Sequence, residues 1–202
     1  MLVLNRNILT IGGNRLEGGP LTPPEPPIPP IPVFDEVTIG TQTWMAKNLA
    51  IDDRGDGIYH EDNVTANGVN FGTQYYYNYT GASRIADSID GWHLPSLEEF
   101  NTLITYCGGG SAAAIKLKST YGWNTNNGTD DYGFCALPVA DVYNNSTSGR
   151  GVGSQCYYCS NSKFYDQGTL RYRIKQIGTS NIYESSYPNN TIKVTVRLIK
   201  DT

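Results

Sequence analysis

The sequence predicts an α+β fold for residues 33–202, with helices early and strands late. Two observations carry this. Phe100, Leu103, Ile104 and Cys107 recur at helical spacing, whereas Leu170, Tyr172 and Ile174 alternate with Arg171, Arg173 and Lys175. Val194, Val196 and Leu198 repeat the second pattern against Lys193, Thr195 and Arg197.

Three segments divide the chain. Residues 1–19 hold two short apolar strips, Leu2-Val3-Leu4 and Ile8-Leu9-Thr10-Ile11, too short to build a core alone. They are expected to act as an anchor or oligomerisation segment. Residues 20–32 carry eight of the eleven prolines. Proline lacks a backbone donor and favours an extended polyproline helix, so this stretch reads as a stiff linker of about 40 Å. Residues 33–202 form the remaining domain.

Within that domain, Val37-Thr-Ile39 and Gln42-Thr-Trp-Met45 flank Gly40-Thr41 and predict a β-hairpin. Tyr75-Tyr-Tyr-Asn-Tyr79 suits a strand. Ser96 and Glu99 are spaced as a capping box, so a helix should start after Pro95 and end at Gly108-Gly-Gly110. A shorter helix is expected over residues 111–118, with loops and strands beyond Trp123.

Composition excludes several classes of function. The formal net charge is −4, and no basic block is present to neutralise a run of phosphates, so nucleic acid is not an expected partner. No stretch approaches the roughly 20 apolar residues of a membrane span, so no insertion is expected. The first residues lack the basic, apolar and small-residue sections of a signal peptide. Export would then use another route, such as inside a virus particle, unless numbering starts on a mature chain. Cys107, Cys135, Cys156 and Cys159 supply one close pair where a four-thiolate zinc site needs two. They read as free thiols or one disulfide.

Five motifs, in order, are similar to one known family. They are Gly40-Thr-Gln-Thr-Trp44-Met-Ala-Lys-Asn-Leu49, Gly91-Trp-His-Leu-Pro-Ser96, Leu117-Lys-Ser119 leading to Trp123, Gly133-Phe-Cys-Ala-Leu-Pro138, and Val196-Arg-Leu-Ile-Lys-Asp201. Together they resemble the Fibrobacter succinogenes major paralogous domain over nearly all of residues 35–201. The resemblance implies a C-type-lectin-like domain with two helices and a small, mostly antiparallel, loop-rich sheet, a fold shared with the formylglycine-generating enzymes. It also implies kinship with the variable proteins of diversity-generating retroelements, whose last part is a diversified ligand-facing surface. One departure is visible. The family's Trp-Ser-Ser-Thr string is replaced here by Tyr157-Tyr-Cys-Ser-Asn161.

Each candidate residue has a plain structural reading beside the functional one. Trp44, Trp92 and Trp123 lie inside scaffold motifs and are expected in the core, with Leu94, Phe134 and Leu137. His93 has no recognisable nucleophile or carboxylate beside it in sequence and reads as a hydrogen-bonded structural residue. Cys156 and Cys159 sit in a strand-like stretch rather than at a helix start, which argues against redox catalysis. The paired cysteines of the formylglycine-generating enzymes invite comparison, but the rest of that site is not recognisable. Asn124-Thr-Asn-Asn-Gly-Thr-Asp-Asp131 offers oxygen ligands for a structural calcium, and the same string makes a plain turn. No other cofactor and no catalytic residue is expected.

Residues 154–190 carry the functional expectation. Tyr, Ser and Asn fill 16 of these 37 positions, a composition of adaptable binding loops. With Leu170, Tyr172 and Ile174 turned inward, Arg171, Arg173 and Lys175 should project outward. Tyr157, Asn161, Phe164, Tyr165, Asn181, Tyr183 and Tyr187 should rim the same surface. The expected function is non-catalytic binding of a host cell-surface protein or glycan. The expected setting is a phage tail tip on the virion, with residues 1–19 joining a tail component or assembling a homotrimer. The alternatives are a bacterial cell-surface adhesin with a fixed ligand and, lower, a formylglycine-generating type of enzyme.

Overall fold

The computed structural model describes residues 33–202 apart from Asn145 and Asn190, together with the backbone of residues 8–11 and 14–17. The chain divides into two units at the Ile31–Pro32 boundary. In the first, β1 (Ile8–Ile11) and β2 (Asn14–Glu17) pair antiparallel, with Ile8 opposite Glu17. The predicted linker, residues 20–32, lies outside the described residues.

The second unit opens with the expected hairpin, β3 (Glu36–Ile39) against β4 (Gln42–Met45). Gly40 turns it at φ +63°, where a Cβ would lie 2.9 Å from the Tyr106 ring. Both the backbone sign and the space therefore call for glycine. Then come β5 (Ile58–Glu61), β6 (Thr65–Ala66), β7 (Val69–Asn70) and β8 (Gln74–Tyr77). The predicted tyrosine strand stops at Tyr77. Asn78 accepts from the Gly81 N–H and caps α1 (Tyr79–Ala86), a helix the strand reading missed. After β9 (Trp92–His93), Ser96 and Glu99 form the full capping box of α2 (Leu97–Tyr106), and α3 (Gly110–Leu117) follows. The described residues thus hold three helices, where two were expected.

The remaining elements are β10 (Val142–Tyr143), β11 (Cys156–Asp166), β12 (Thr169–Ile177), β13 (Ile182–Pro188), β14 (Ile192–Lys193) and β15 (Ile199–Lys200). The strands make several small antiparallel sheets. The largest run in the order β3-β4-β15-β9 and β11-β12-β13. The molecule is α+β.

Two apolar clusters fill the domain. One gathers Ala82, Ile85 and Ala86 of α1 with Leu49, Trp92, Leu94, Val194, Val196 and Leu198. The other gathers Phe100 and Leu103 of α2, Ala113 and Leu117 of α3, Trp44, Trp123 and Phe134. The base of β11 is the wall between them. Tyr157 and Cys159 enter the first cluster, while Cys156 and Tyr158 enter the second. Side chains alternate along a strand, so each core takes every other residue.

The expected scaffold residues Trp44, Trp92, Leu94 and Phe134 are buried, while Leu137 is half-buried. Residues 194–199 are buried on both faces, not one. Arg197 is 1 % exposed, although the alternation placed it outside. Its guanidinium donates to the carbonyls of Met45, Phe134 and Cys135 and to Asn48 Oδ1. That set of acceptors explains how a cation sits where the pattern predicts solvent.

Candidate ligand-binding surface

β12 is the centre of the candidate surface, and its pairing register decides which side chains share a face. Phe164 and Pro188 lie opposite Arg171, Ser186 opposite Arg173, and Glu184 opposite Lys175. Tyr165 pairs with Leu170, Lys163 and Tyr187 with Tyr172, and Tyr157 and Tyr183 with Gln176. Cross-strand partners point the same way. The residues expected on one surface therefore divide between two. Phe164, Arg171, Arg173 and Lys175 share one face, and Tyr157, Tyr165, Tyr183 and Tyr187 share the other. Alternation along β12 separates Arg171, Arg173 and Lys175 from Leu170, Tyr172 and Ile174, but the inward–outward contrast expected of the two sets is not seen, since residues 170–173 are all half-buried and Lys175 is buried. The placement of the flanking tyrosines also differs from expectation, because only the register fixes it.

Both faces submerge at the base of the sheet and emerge toward the β11–β12 turn. On the cationic face, Cys156, Tyr158 and Ile177 lie in the second cluster. Lys175, expected outside, is buried at 6 %, with Nζ 2.9 Å from Asn101 Oδ1 of α2 and 3.2 Å from Glu184. Beyond it, the Arg173 guanidinium stacks 4.3 Å over the Phe164 ring and pairs with Glu184. These two bases hold the Glu184 carboxyl below its usual range, against the opposing pull of burial. Arg171 donates to Ser186 and lies 3.6 Å from Asp166. The side chains are thus held in place by contacts within the sheet.

On the other face, Tyr157 is buried in the first cluster and is also withdrawn from solvent, while Ile174 and Cys159 pack beside it. Tyr172 stacks on Tyr79 of α1 at 3.8 Å, with Lys163 Nζ 5.8 Å from the Tyr79 ring. Tyr165, opposite Leu170 near the β11–β12 turn, is 74 % exposed, and Tyr183, opposite Gln176 at the other end of the sheet, is 51 % exposed. Asn161 lies in the register shift between Cys159 and Lys163, its N–H bonded to the Pro95 carbonyl. Asn181 turns its Oδ1 onto the Ile182 N–H, against α3.

The other candidates have structural surroundings. Cys156 and Cys159 project to opposite sides of β11 into different clusters, and all four cysteines are free thiols. Burial pushes the Cys156 and Cys159 thiols up to about 12, the reverse of a reactive pair. His93 does have carboxylate neighbours, which sequence distance concealed. Its Nδ1 lies 2.5 Å from Asp201 and its Nε2 2.9 Å from Glu99. Burial lowers its pKa, but the two carboxylates outweigh burial and the net shift is upward. Glu99 also accepts from Ser96 in the capping box, so the cluster serves the start of α2.

In the 124–131 loop, Asn127 Oδ1 accepts from the Trp123 N–H and Asp130 Oδ1 from the Cys135 N–H. The buried Lys118 ammonium donates to the Asn126 and Thr179 carbonyls and lies 4.6 Å over Trp123. Its charge inside the loop was not legible in the sequence, where Lys118 is one more helix-end lysine. Among the described residues no three His, Cys, Asp or Glu side chains converge as metal ligands.

The family model described as the Fibrobacter succinogenes major domain matches residues 37–200. No curated protein and no solved structure matches the chain.

Proposed function

Since the chain belongs to the Fibrobacter succinogenes major domain family, we propose that residues 33–202 are a non-catalytic, C-type-lectin-like binding module. The ligand surface is the emergent half of the β11-β12-β13 sheet. The observation that carries the reading is the contrast along that sheet. Its base is locked into two cores, while its outer end presents Phe164 and Tyr165 beside arginines already held by Asp166, Ser186 and Glu184. Rigid aromatics and pre-oriented arginines are the side chains that dominate binding energy at interfaces. Because the ligand-facing positions lie beyond the core, they can vary without disturbing the fold. That is what a diversified receptor-binding protein at a phage tail tip requires, and it is the setting we assign. The partner is a host cell-surface protein or glycan.

The test is cell binding. Phe164→Ala with Arg173→Ala removes the stacked pair on one face, and Tyr165→Ala with Tyr183→Ala strips the other. Each pair should leave the melting temperature within a few degrees. At least one should lower attachment of the labelled protein to host cells by 10-fold or more, since truncating a central anchor costs roughly 2 kcal/mol. Attachment unchanged in both folded pairs rejects this surface. The flanking DNA tests the setting. A reverse transcriptase gene with a near-copy of the segment encoding residues 154–190, differing at adenines, supports diversification; a lone copy beside cell-surface genes supports an adhesin with a fixed ligand.

A further inference from the structure

A concavity lies apart from the sheet just described. It has a volume of about 330 Å³, and no residue from 154–190 lines it. This is at the small end of ligand pockets, room for one ring rather than an extended chain. One wall is aromatic. Phe71 and Tyr121 lie nearly parallel, their ring centroids 6.4 Å apart, and Tyr75 adds to the lining.

The polar lining has a definite sign. Among the described residues, Lys47 and Arg197 are its only ionisable bases, and no Asp or Glu contributes. Lys47 also meets Asp35 at 2.6 Å, as an exposed ion pair of little strength. Arg197 differs. It is 1 % exposed, and among the described residues it meets carbonyls and one amide but no carboxylate. A guanidinium has five N–H donors, and four are engaged here. A buried charge met only by neutral dipoles leaves a positive potential in the adjoining cavity, and a low-dielectric wall strengthens it.

Two amides complete the site. Asn48 donates to Gln74 Oε1 at 3.3 Å and accepts from Arg197, and Gln74 donates to the Phe71 carbonyl at 2.8 Å. Each amide is fixed in orientation and, among the described residues, retains one N–H and one oxygen lone pair. Paired donors and acceptors of that kind suit neighbouring hydroxyl groups, which both give and accept.

We propose that this cavity binds the residue of an acidic sugar, such as a uronic acid. The ring face lies on the Phe71–Tyr121 wall, the hydroxyls meet Asn48 and Gln74, and the carboxylate is drawn by Lys47 and the Arg197 potential. This site is independent of the sheet surface, so either can fail without the other.

Titration of the full chain with galacturonate tests it, with galactose and benzoate as comparators, followed by calorimetry and by NMR shifts of the lining residues. Galacturonate should bind about 10-fold or more tighter than either comparator, because galactose lacks the anion and benzoate the hydroxyls. Tyr121→Ala should weaken binding by roughly 10-fold. Lys47→Gln should weaken it and flatten its dependence on salt. Both side chains are exposed, so the fold should survive. Absence of saturable galacturonate binding, equal affinity for galactose or benzoate, or unchanged affinity in Tyr121→Ala would each overturn the assignment.

Discussion

His93 and Arg197 illustrate how single side chains close this fold. His93 bridges Glu99 and Asp201, and the signs of its linkage can be worked out. Its pKa is raised on folding, so its contribution is fully present below its unfolded value, about 6.5, and is lost as pH rises through the higher folded value. Glu99 is depressed, so its contribution is present above its ordinary value and lost as pH falls through the lower folded one. Asp201→Asn should therefore lower the melting temperature by about 1–3 °C at pH 5.5 and by less at pH 9, as a partly exposed ionic bond would. An equal loss at both pH values would reject the ionic account. Arg197→Met should cost about 3 kcal/mol or more in urea denaturation, because several buried carbonyls lose their donor together. The sequence placed Arg197 on a solvated strand face. Period-two alternation tells sides of a strand apart, but it cannot tell that both sides are covered.

The elements were legible where local chemistry decides them. Ser96 and Glu99 announced α2, and the Gly40 turn announced the first hairpin. Ser96→Ala should lower stability by about 1 kcal/mol, read from the denaturation midpoint, through loss of the cap. Helix α1 was hidden by Tyr79, which continues the tyrosine run of β8, and by Gly81, a poor helix former. A Cβ on Gly81 would lie 2.9 Å from the Gly57 carbonyl, so tertiary contact sets that residue against propensity. A signal was nonetheless present: Ala82, Ile85, Ala86 and Ile89 recur at i, i+3, i+4 and i+7, behind Asn78 as a cap. On β11, the odd spacing of Cys156 and Cys159 puts them on opposite sides, as C-x-x-C must wherever it lies on a strand. Thiol titration of the folded protein should modify Cys135 first, since it is the one cysteine not fully enclosed, and denaturation should release all four. A disulfide between Cys156 and Cys159 found by mass spectrometry would refute the placement of that strand. For the β11-β12-β13 sheet, the sequence showed which residues alternate along β12 but not how three strands line up. Register is set by the two turns, which match odd positions with even ones, and the two-residue shift between Cys159 and Lys163 keeps that parity, so the tyrosines fell on the other face.

At the scale of the whole molecule, the two units raise the question of assembly. A two-stranded ribbon such as β1–β2 is marginal by itself. We expect it to pair with further copies or with a tail component, and a homotrimer is the proposed state. Light scattering should give a trimer for the full chain and a monomer for a chain beginning at Val33, with similar melting of the domain in both. Monomers in both, without binding to tail proteins, would remove residues 1–19 from assembly.

The place of β15 has a further consequence, for the order of events on the way to the native state. It lies between β4 and β9, and Arg197 reaches across 152 positions to the Met45 carbonyl. Until the segment carrying residues 194–200 is available, Trp44 and Trp92 stand on sheet strands with no neighbour between them. Closing so wide a loop costs entropy before any contact repays it, so refolding should be slow, in the range of milliseconds to seconds. During synthesis, the first hairpin must wait for nearly the whole domain to leave the ribosome. Ribosomes stalled before residue 194 should hold a protease-sensitive chain, and those stalled some 40 residues beyond Thr202 a resistant one.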